Sequence, residues 1–364
     1  MRIVTSIVRY LVGGLFIFSG LIKVNDPVGT AIKMEEYFAV FAGDIASFFI
    51  VFEPYALIIA VIMNVLEVVL GLALIIRWRV KFTLGMLTGL IVFFTFLTFY
   101  TAYFNKVTDC GCFGDAIKLT PWESFTKDVI LVVMIGFLLF RRNKIAESTF
   151  ATKGIIIGCT TIVTTLLCLY AIKHLPYIDF RAYKVGTTIQ EAMSPAESPK
   201  FQYTFLKNGE EIKSFTYLSE KDGYELVGHE IINEEASTPK ITDFALWNES
   251  GDKTEQVLEG TKLLVVTYFI EEADENGLID IKNLLDKLSG EVKPLILTSS
   301  AAKEVLKVKA RRGLKPDFYY GDATVLKTII RSNPGLVLLK NGTVLGKWHY
   351  NDVPEITEIN ELLK

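Results

Sequence analysis

Long apolar runs separated by short polar connections make up the first half of the chain. Runs of membrane-spanning length occur at about 5–24, 55–76, 82–104, 125–140 and 154–172. A helix needs roughly 20 mainly apolar residues to cross the hydrocarbon of a bilayer. The pattern therefore predicts a membrane all-α helical bundle of about five transmembrane helices, in contact with the lipid bilayer.

The pattern changes in the last third of the chain to alternating strands and helices. Apolar β-branched runs at 262–270 and 292–298 predict strands, helical spacing at 278–288, 301–312 and 323–332 predicts helices, and 335–340 with 343–349 predicts a hairpin around Asn341-Gly342. Strand, helix, strand, helix, helix and hairpin form a compact α/β layout. A soluble α/β domain is expected to follow the bundle.

A region of mixed character connects these two parts. Residues 194–199 are rich in proline and serine, which is typical of a spacer. Asn208-Gly209 lies between two runs with strand character and predicts a hairpin, because a type I′ turn needs positive φ at both central residues. We expect a transmembrane bundle at 1–175, a linker with a small β element at 176–236, and the α/β domain at 237–364.

The charges of the connections predict the orientation in the membrane. The connections at 77–81 and 141–153 are basic, whereas 26–53 and 109–123 are mixed or acidic. Basic loops stay in the cytoplasm, and Arg2 and Arg9 place the N-terminus there too. The first run lacks a small-x-small cleavage site, so we interpret it as a retained helix. Five spans then predict a bacterial inner membrane protein with a periplasmic C-terminal domain.

The overall net charge of −3 averages a basic rim and a mildly acidic tail. The sequence has no basic patch suited to nucleic acid, so a nucleic-acid partner is not expected.

A short loop between the third and fourth runs carries two cysteines. Residues 109–115 read Asp-Cys-Gly-Cys-Phe-Gly-Asp, which places Cys110 and Cys112 on the predicted oxidising face. The pair is interpreted as a redox dithiol, as a structural disulfide, or as half of a metal site. Because the three histidines do not cluster with it in sequence, no metal site is predicted. Cys159 and Cys168 are about two and a half turns apart in the last run, so they are expected on opposite helix faces.

Charged residues inside the apolar runs are the second candidate site. Glu67 is taken as the one acidic residue well inside a run, with Asn64 one turn before it. An intramembrane carboxylate indicates function, here quinone binding or proton transfer. The alternative is a structural hydrogen bond from Asn64 or Ser19. Lys23 is expected to snorkel from the end of the first helix to the interface. The alternative, if the bundle folds it inward, is contact with an anion or a quinone headgroup.

The membrane half resembles the DoxX family. The resemblance is carried by Phe-Ser-Gly-Leu-Ile-Lys at 18–23 with Asp26-Pro27, and by the acidic residue in Leu-Glu-Val-Val-Leu-Gly at 66–71. It is closer to the branch of the methylamine utilisation protein MauE, whose loop has a Cys-Gly-Cys-Phe-Gly pattern like residues 110–114. This resemblance implies disulfide formation or thiol redox outside the cell membrane.

The tail resembles the thioredoxin-like fold through Ser-Asn-Pro-Gly-Leu at 332–336, which is similar to that fold's cis-proline turn before a hairpin. A redox-active thioredoxin would carry Cys-x-x-Cys after the strand at 262–270, whereas this chain has no cysteine beyond Cys168. Since the thiolate is the nucleophile of exchange, the tail is not expected to perform it alone. Pro334 is expected to be cis. The resemblance implies an edge that contacts extended substrate peptides, but without catalytic cysteines a structural role of the turn is favoured over a binding one.

Two functions of different classes are compatible with the sequence. In the first, Cys110 and Cys112 exchange electrons with an extracytoplasmic thiol protein, and a membrane quinone near Glu67 is the simplest acceptor. In the second, the chain is a non-catalytic membrane-anchored binding or assembly protein with a structural loop disulfide.

Overall fold

The computed structural model of the protein describes residues 2–107, 111, 113–147, 151–288 and 290–364. These residues form two compact units, Met1–Arg181 and Ala182–Lys364. The division at residue 181 lies shortly after residue 175, where the sequence predicts the bundle to end. The predicted boundary at 236 lies inside the second unit.

Six helices build the first unit. They are α1 (Arg2–Asn25), α2 (Pro27–Asp44), α3 (Ala56–Ile76), α4 (Val80–Phe104), α5 (Pro121–Phe140) and α6 (Ala151–Lys173). Within the described residues, four stretches are long and apolar enough to cross a membrane: Arg2–Asn25, Ser47–Ile76, Val80–Phe104 and Ala151–Lys173. The structure and composition thus confirm a membrane helical region in the first half of the chain.

The helix α5 coincides with the remaining predicted span and carries three charged residues, Glu123, Lys127 and Asp128. It begins with a capping box, in which the Thr120 hydroxyl accepts from the Glu123 amide and the Glu123 carboxylate accepts from the Thr120 amide. Lys127 and Asp128 follow two turns into the helix. Beyond them the helix is apolar, and Phe140 is 86% exposed on the outside of the unit.

The segment 26–53, which the sequence analysis treats as a connection, contains the helix α2 and a 3-10 segment at Ser47–Tyr55. Asp26 caps α2 by accepting from the Gly29 amide. At the other end of α2, the Asp44 carboxylate accepts from Tyr100 and Lys106, near the C-terminal end of α4. The hydrophobic pattern of the sequence did not predict the helix α2, because charged residues interrupt its apolar positions.

The helices α1 and α3 pack antiparallel at close range because glycines line their contact. A Cβ added to Gly13 would lie 2.8 Å from the Gly71 carbonyl oxygen, and one added to Gly20 would lie 2.9 Å from the Val68 nitrogen. Small residues of this kind let helix backbones approach each other inside a membrane. This contact fixes which side chains of α1 face α3.

The second unit is a mixed α/β domain around a seven-stranded sheet. Its sheet order is β10-β9-β6-β7-β8-β4-β5, with β6, β7 and β8 parallel and β9 antiparallel to β6. The strands are β4 (Leu246–Asn248), β5 (Gly251–Asp252), β6 (Thr261–Val266), β7 (Lys293–Thr298), β8 (Asp317–Gly321), β9 (Gly335–Lys340) and β10 (Thr343–His349). The predicted α/β domain is therefore confirmed.

Helices connect and cover this sheet. They are α7 (Ile189–Ala192), α8 (Glu234–Ser237), α9 (Thr254–Leu258), α10 (Glu275–Leu285), α11 (Ala302–Arg312), α12 (Ala323–Ile329) and α13 (Ile356–Leu363). The core between sheet and helices is apolar and includes Leu263, Ile281, Ile296 and Leu338, all fully buried.

Some elements of the second unit differ from the sequence prediction. The strand predicted at 262–270 ends at Val266, and a 3-10 turn occupies Ile270–Glu272. The strand β8 was not predicted, because it is short. Its consecutive aromatic residues, which are half-buried or buried in turn, give no alternation of apolar and polar residues in the sequence.

A separate three-stranded sheet contains the predicted hairpin. The strands β1 (Phe201–Lys207) and β2 (Glu210–Ser214) pair antiparallel around Asn208-Gly209, and both turn residues have positive φ. This confirms the hairpin. A third strand, β3 (Glu225–Ile231), pairs with β1 on its other side and was not predicted.

Candidate functional site

A buried ion pair joins α1 to α3 inside the bundle. The Lys23 ammonium donates to Glu67 Oε1 at 2.6 Å, and the two side chains are 7% and 2% exposed. Helical side chains tilt toward the N-terminus of their helix. Because α1 and α3 are antiparallel, Lys23 and Glu67 tilt toward each other. The Lys23 ammonium also lies 4.6 Å from the centroid of the Phe94 ring on α4.

Asn64 supports this pair through the backbone and not through the carboxylate. Its side-chain amide donates to the Lys23 carbonyl at 3.0 Å and to Thr30 Oγ1 at 3.4 Å. Asn64 Oδ1 is buried and has no hydrogen-bond partner. The amide thus fixes the last turn of α1, from which the Lys23 side chain starts.

A second buried ion pair lies on α5, which packs against α4. Lys127 Nζ is 2.7 Å from Asp128 Oδ1, and the other carboxylate oxygen accepts from the Thr98 hydroxyl at 3.0 Å. The Asp128 side chain is 1% exposed, whereas that of Lys127 is 23% exposed. By helix rise, Asp128 lies roughly 10 Å along the axis from Pro121. This carboxylate is therefore well inside the bundle.

Both ion pairs line one small cavity. Its walls include Ser19, Lys23, Glu67, Lys127 and Asp128, and its apolar lining residues are Leu15, Phe16, Ile91, Phe94, Phe113 and Leu131. The cavity measures about 30 Å³. Since a buried water needs on the order of 10–15 Å³, there is room for about two waters and polar groups to hold them.

The cysteine loop meets this cavity through Phe113. The Phe113 side chain is buried, its ring centroid is 5.7 Å from that of Phe18 on α1, and the Lys127 ammonium is 5.0 Å from it. Cys110 and Cys112 themselves lie outside the described residues. Phe113 directly follows Cys112 in the chain, so the described end of the motif lies against the buried charges.

Glycines shape the described part of the loop. Gly111 and Gly114 have φ of +64° and +51°, and the Gly114 amide donates to the Gly111 carbonyl at 3.1 Å. Side chains other than glycine rarely adopt such φ values. A Cβ on Gly111 would lie 3.4 Å from Lys33 Cγ of α2, and one on Gly114 would lie 3.5 Å from Ile22 Cγ2 of α1. The loop therefore turns tightly against both helices.

An ion pair holds the chain in place where it leaves α4 and enters the loop. Lys106 donates to the Asp44 carboxylate, and this hydrogen bond, followed by that from Tyr100, lowers the pKa of Asp44 below its ordinary value. The negative charge of Asp44 is thus held beside the Lys106 ammonium at neutral pH. Both ends of the loop are anchored to helices by charged or aromatic contacts.

The arrangement can hold and move protons. Two buried carboxylates, each with a lysine beside it, face a cavity of water size. Burying charges is costly, and intramembrane ionisable residues usually face a bundle interior or a water-filled cavity and serve function. Carboxylates joined by water are suited to accept and release protons.

Two sequence predictions about these charges are wrong. Lys23 does not snorkel to the interface, because the close packing of α1 on α3 directs its ammonium to Glu67. Glu67 is not the one acidic residue well inside an apolar run, since Asp128 is equally buried. Asp128 was missed because Lys127 and Glu123 near it give the start of α5 a polar character. The sequence feature that could have identified Asp128 is its position within the fourth apolar run.

Other predicted positions are confirmed. Cys159 is exposed and Cys168 is buried, so the two lie on different faces of α6. The Asn333-Pro334 bond is cis and leads directly into the β9–β10 hairpin. Among the described residues, which do not include Cys110 and Cys112, no group of three or more His, Cys, Asp and Glu side chains could hold a metal ion, and the absence of a metal site at the loop stays a prediction.

Comparison with protein families gives a match over the first part of the chain. Residues 1–141 match the model of the family described as methylamine utilisation protein MauE. The matched range contains α1 to α5, the cysteine loop and both buried ion pairs, and it excludes α6 and the second unit. Searches of curated proteins and of solved structures give no significant match to the chain. The predicted resemblance to MauE is thus confirmed for residues 1–141.

Proposed function

We propose that this membrane protein exchanges electrons with an extracytoplasmic thiol protein through Cys110 and Cys112. The observation that carries the proposal is the position of Phe113. This residue belongs to the Cys-Gly-Cys-Phe-Gly motif and lines the cavity that Glu67 and Asp128 also line. A loop that needs only a structural disulfide has no use for buried ionisable groups beneath it.

The thiol–disulfide exchange step conserves its electrons and protons using sulfur groups alone. A thiolate of the partner attacks the loop disulfide, a partner–loop S–S bond forms, and one loop sulfur leaves as a thiolate. The second partner thiolate attacks this mixed disulfide and releases the other loop sulfur. The partner, counted as a dithiol, is oxidised to a disulfide. The two protons released when its thiols ionise are taken up by the two loop sulfurs, so the loop gains two electrons and two protons and becomes a dithiol. The reverse sequence of steps would reduce the partner.

A membrane quinone is the acceptor proposed for renewing the loop disulfide. Oxidation of the dithiol would pass two electrons and two protons to the quinone and form a hydroquinone. The cavity beside Glu67 measures about 30 Å³ and has room for about two waters. The quinone is proposed to react near Glu67, with this cavity as the path for the protons.

The proposal requires the loop to face the oxidising side of a bacterial inner membrane. Basic residues follow α5 at Arg141, Arg142 and Lys144, which favours the cytoplasm for that end. Val133 and Phe140 on α5 are 66% and 86% exposed, as expected for a helix in lipid. With α5 as a fifth span, the N-terminus is cytoplasmic and the second unit is periplasmic.

Labelling in intact cells tests this orientation. A cysteine at Ser250 should react with a membrane-impermeant maleimide, whereas one at Asn143 should react only after the membrane is opened. Each is placed in a background in which all four native cysteines are changed to serine, so that the label reports only the introduced cysteine. The reverse result would place the loop on the reducing side and rule out the proposal.

The second unit is proposed to be a thioredoxin-like domain that binds the partner without chemistry. The cis Asn333-Pro334 bond before a hairpin supports the resemblance. At the place of the Cys-x-x-Cys motif, the chain instead has a 3-10 turn at Ile270–Glu272 and the N-cap Asp274 of α10. Purified residues 237–364 should therefore fold and should not catalyse disulfide reduction.

A redox titration of the loop is the central test. The full-length protein with Cys159→Ser and Cys168→Ser leaves two of the four cysteines, so any thiol signal comes from the loop. An exchange pair should titrate at a potential clearly less negative than about −300 mV, whereas a structural disulfide lies below that value.

Trapping of a partner adds a second measurement. With Cys110→Ser or Cys112→Ser, the remaining cysteine should hold a mixed disulfide that a reducing agent releases, and Cys159→Ser alone should trap nothing. The absence of any trapped species, together with a potential below about −300 mV, would contradict the redox function.

That combined outcome would support the second candidate, a membrane-anchored binding or assembly protein with a structural disulfide. The observation that favours it is the lack of cysteine in the sequence after Cys168.

A further inference from the structure

We propose that the turn between α3 and α4 binds the phosphate of an anionic phospholipid, whose acyl chains lie against the exposed apolar side of α6. The turn comprises residues 77–79, which read Arg-Trp-Arg. This site is independent of the proposed redox function. It includes the beginning of α6, which lies outside the range that the family model matches, so the family match does not imply it.

The backbone of the turn gives the first observation. Arg77 and Arg79 have φ of +60° and +41°, in the left-handed region that glycine adopts readily and other residues rarely do. Arg77 follows the last residue of α3, and Arg79 is the N-cap of α4. Glycine suits both positions. Helix capping therefore does not explain the arginines, and strained residues of this kind cluster at functional sites.

The carbonyl groups at the end of α3 do not require these arginines either. Such carbonyls carry partial negative charge, which a nearby cation stabilises. Arg9 of α1 donates to the carbonyls of Leu74 and Ile75. Lys153 of α6 donates to the carbonyl of Ile76 at 2.5 Å. Cations from two other helices thus already compensate this end of α3.

The charge of the turn has no counterpart within the described part of the protein. The side chains of Arg77 and Arg79 are exposed, and no described carboxylate pairs with either of them. At the other end of the bundle, by contrast, Lys33 and Lys106 each contact a carboxylate. Phosphate oxygens suit the planar donor group of arginine. Charge complementarity therefore favours an anionic phosphate at the turn.

Trp78 brings the turn beside the beginning of α6. A Cβ on Gly154 would lie 3.9 Å from the indole nitrogen of Trp78, and the Arg79 guanidinium carbon is 5.3 Å from the centroid of the Trp78 ring system. Among the described residues, no acceptor binds the indole N–H. An indole N–H beside an arginine can donate to the same phosphate group, so the turn offers donors of two kinds.

Apolar side chains next to these donors identify the phosphate as that of a lipid. Ile155 and Ile156, which follow Gly154 on α6, are 62% and 45% exposed, and Phe82 on α4 is 60% exposed. By helix rise they lie within one turn of the donors along their helices. A soluble phosphate ester has no use for such a surface, whereas a phospholipid carries its acyl chains directly below its phosphate. Basic pockets between transmembrane helices bind anionic headgroups in this way.

Native mass spectrometry of the full-length protein in detergent measures the dissociation constant of added phospholipid. We expect dioleoyl phosphatidylglycerol to bind more tightly than dioleoyl phosphatidylcholine, which has no net charge. Arg77→Gly with Arg79→Gly should weaken binding of phosphatidylglycerol by about tenfold or more, since each basic side chain near a headgroup contributes roughly fivefold. Binding of phosphatidylcholine should not change. Equal dissociation constants for the two lipids in the wild type would overturn the proposal.

Glycine is chosen for these variants because it separates binding from folding. It relieves the left-handed backbone and suits both capping positions, so the thermal midpoint without added lipid should be unchanged or higher. Phosphatidylglycerol should raise the midpoint of the wild type and not that of the double variant. A lower midpoint of the double variant without lipid would assign the arginines to the stability of the turn and would contradict a binding role.

Arg142 supplies the matched control for a single charge. It is an exposed arginine beyond the C-terminal end of α5, at the same basic end of the bundle, and it is not part of the site. Arg79→Gln should weaken binding of phosphatidylglycerol by about fivefold, whereas Arg142→Gln should leave it nearly unchanged. Equal losses would mean that the whole basic end attracts anionic lipid without a site, and the proposal would fail.

Glycerol phosphate tests whether the acyl chains take part. Added at millimolar concentration, it should not displace phosphatidylglycerol from the wild type, because it lacks the apolar contacts with Ile155, Ile156 and Phe82. Displacement would show that the turn binds a soluble phosphate ester, and the lipid assignment would be wrong.

Discussion

The ion pairs of the two units differ in where they lie. In the first unit, Lys23–Glu67 is almost completely buried. In the second, the described pairs are at the surface, as in Lys282–Asp286, where the side chains are 33% and 40% exposed. Surface pairs contribute little to stability because water solvates both partners. The buried pair lost that solvation on folding, so its presence needs another explanation.

The interiors show the same contrast. The main core cluster of the second unit is almost entirely aliphatic and includes Leu263, Ile296 and Leu338. The bundle has an apolar core as well, around Leu74, Leu87 and Leu138, yet it also encloses two carboxylates. Because a well-packed apolar replacement of a buried ion pair is often neutral or stabilising, packing alone does not account for these charges. The proton-handling role proposed above would account for them.

The largest expected effect comes from removing one partner of the buried pair. Glu67→Leu leaves the Lys23 ammonium buried without its counter-ion, which should destabilise the bundle by about 3–5 kcal/mol. The double variant Lys23→Met with Glu67→Leu should recover most of this loss, since no unpaired charge is left. Unfolding of the purified protein in detergent measures both free energies.

Lys33 supplies the control for this cycle. It pairs with Glu36 at 3.0 Å, and its side chain is 25% exposed. Lys33→Met should change stability far less than Lys23→Met. Equal losses of stability for the two lysine variants would show that burial does not determine how much an ion pair matters. This result would contradict the comparison between the two units.

A smaller effect is expected from separating the helices that hold the pair. A Cβ on Gly20 would lie 2.6 Å from Val68 Cγ2 and 3.0 Å from Glu67 Cβ. Gly20→Leu should force α1 away from α3 and cost about 1–3 kcal/mol, the usual range for overpacking. Gly14→Leu, on the same helix with no atom within 4 Å, is the control and should be nearly neutral.

The sequence alone was sufficient to predict the elements that have a clear hydrophobic or turn pattern. The apolar runs predicted α1, α3, α4, α5 and α6, and turn residues predicted the hairpins at Asn208-Gly209 and Asn341-Gly342. These features depend on local chemistry, namely hydrophobic length and the φ preferences of asparagine and glycine. The helix α2 and the strand β8 have weaker patterns, and tertiary contacts decide them.

The site was only partly predictable for the same reason. Glu67 stands out in an apolar run, so a candidate could be named from sequence. Its partner could not, because Lys23 lies at a helix end where snorkelling is the usual behaviour. Only the packing of Gly20 against Val68 turns Lys23 inward. The burial of Asp128 depends on the packing of α5 against α4, and no local sequence pattern specifies that packing.

The smallest expected effect belongs to a surface pair of the second unit. Glu275 at the start of α10 accepts from Arg312 at the end of α11, and this hydrogen bond, with the charge of Arg312, lowers the pKa of Glu275 from its ordinary value of 4.5. A carboxylate with a lowered folded-state pKa stabilises the fold above its unfolded-state pKa, and this contribution is lost as the pH falls through the folded-state value.

Glu275→Gln should therefore slightly lower the thermal midpoint of residues 182–364 at pH 7, and the difference from the wild type should shrink as the pH falls below about 4.5. Glu249→Gln, at an exposed position, serves as the control. Because both charges of the Glu275–Arg312 pair can be solvated, the change should be far smaller than that of Glu67→Leu. A loss as large as that of Glu67→Leu would mean that surface pairs hold the second unit together, and the comparison between the units would have to be reversed.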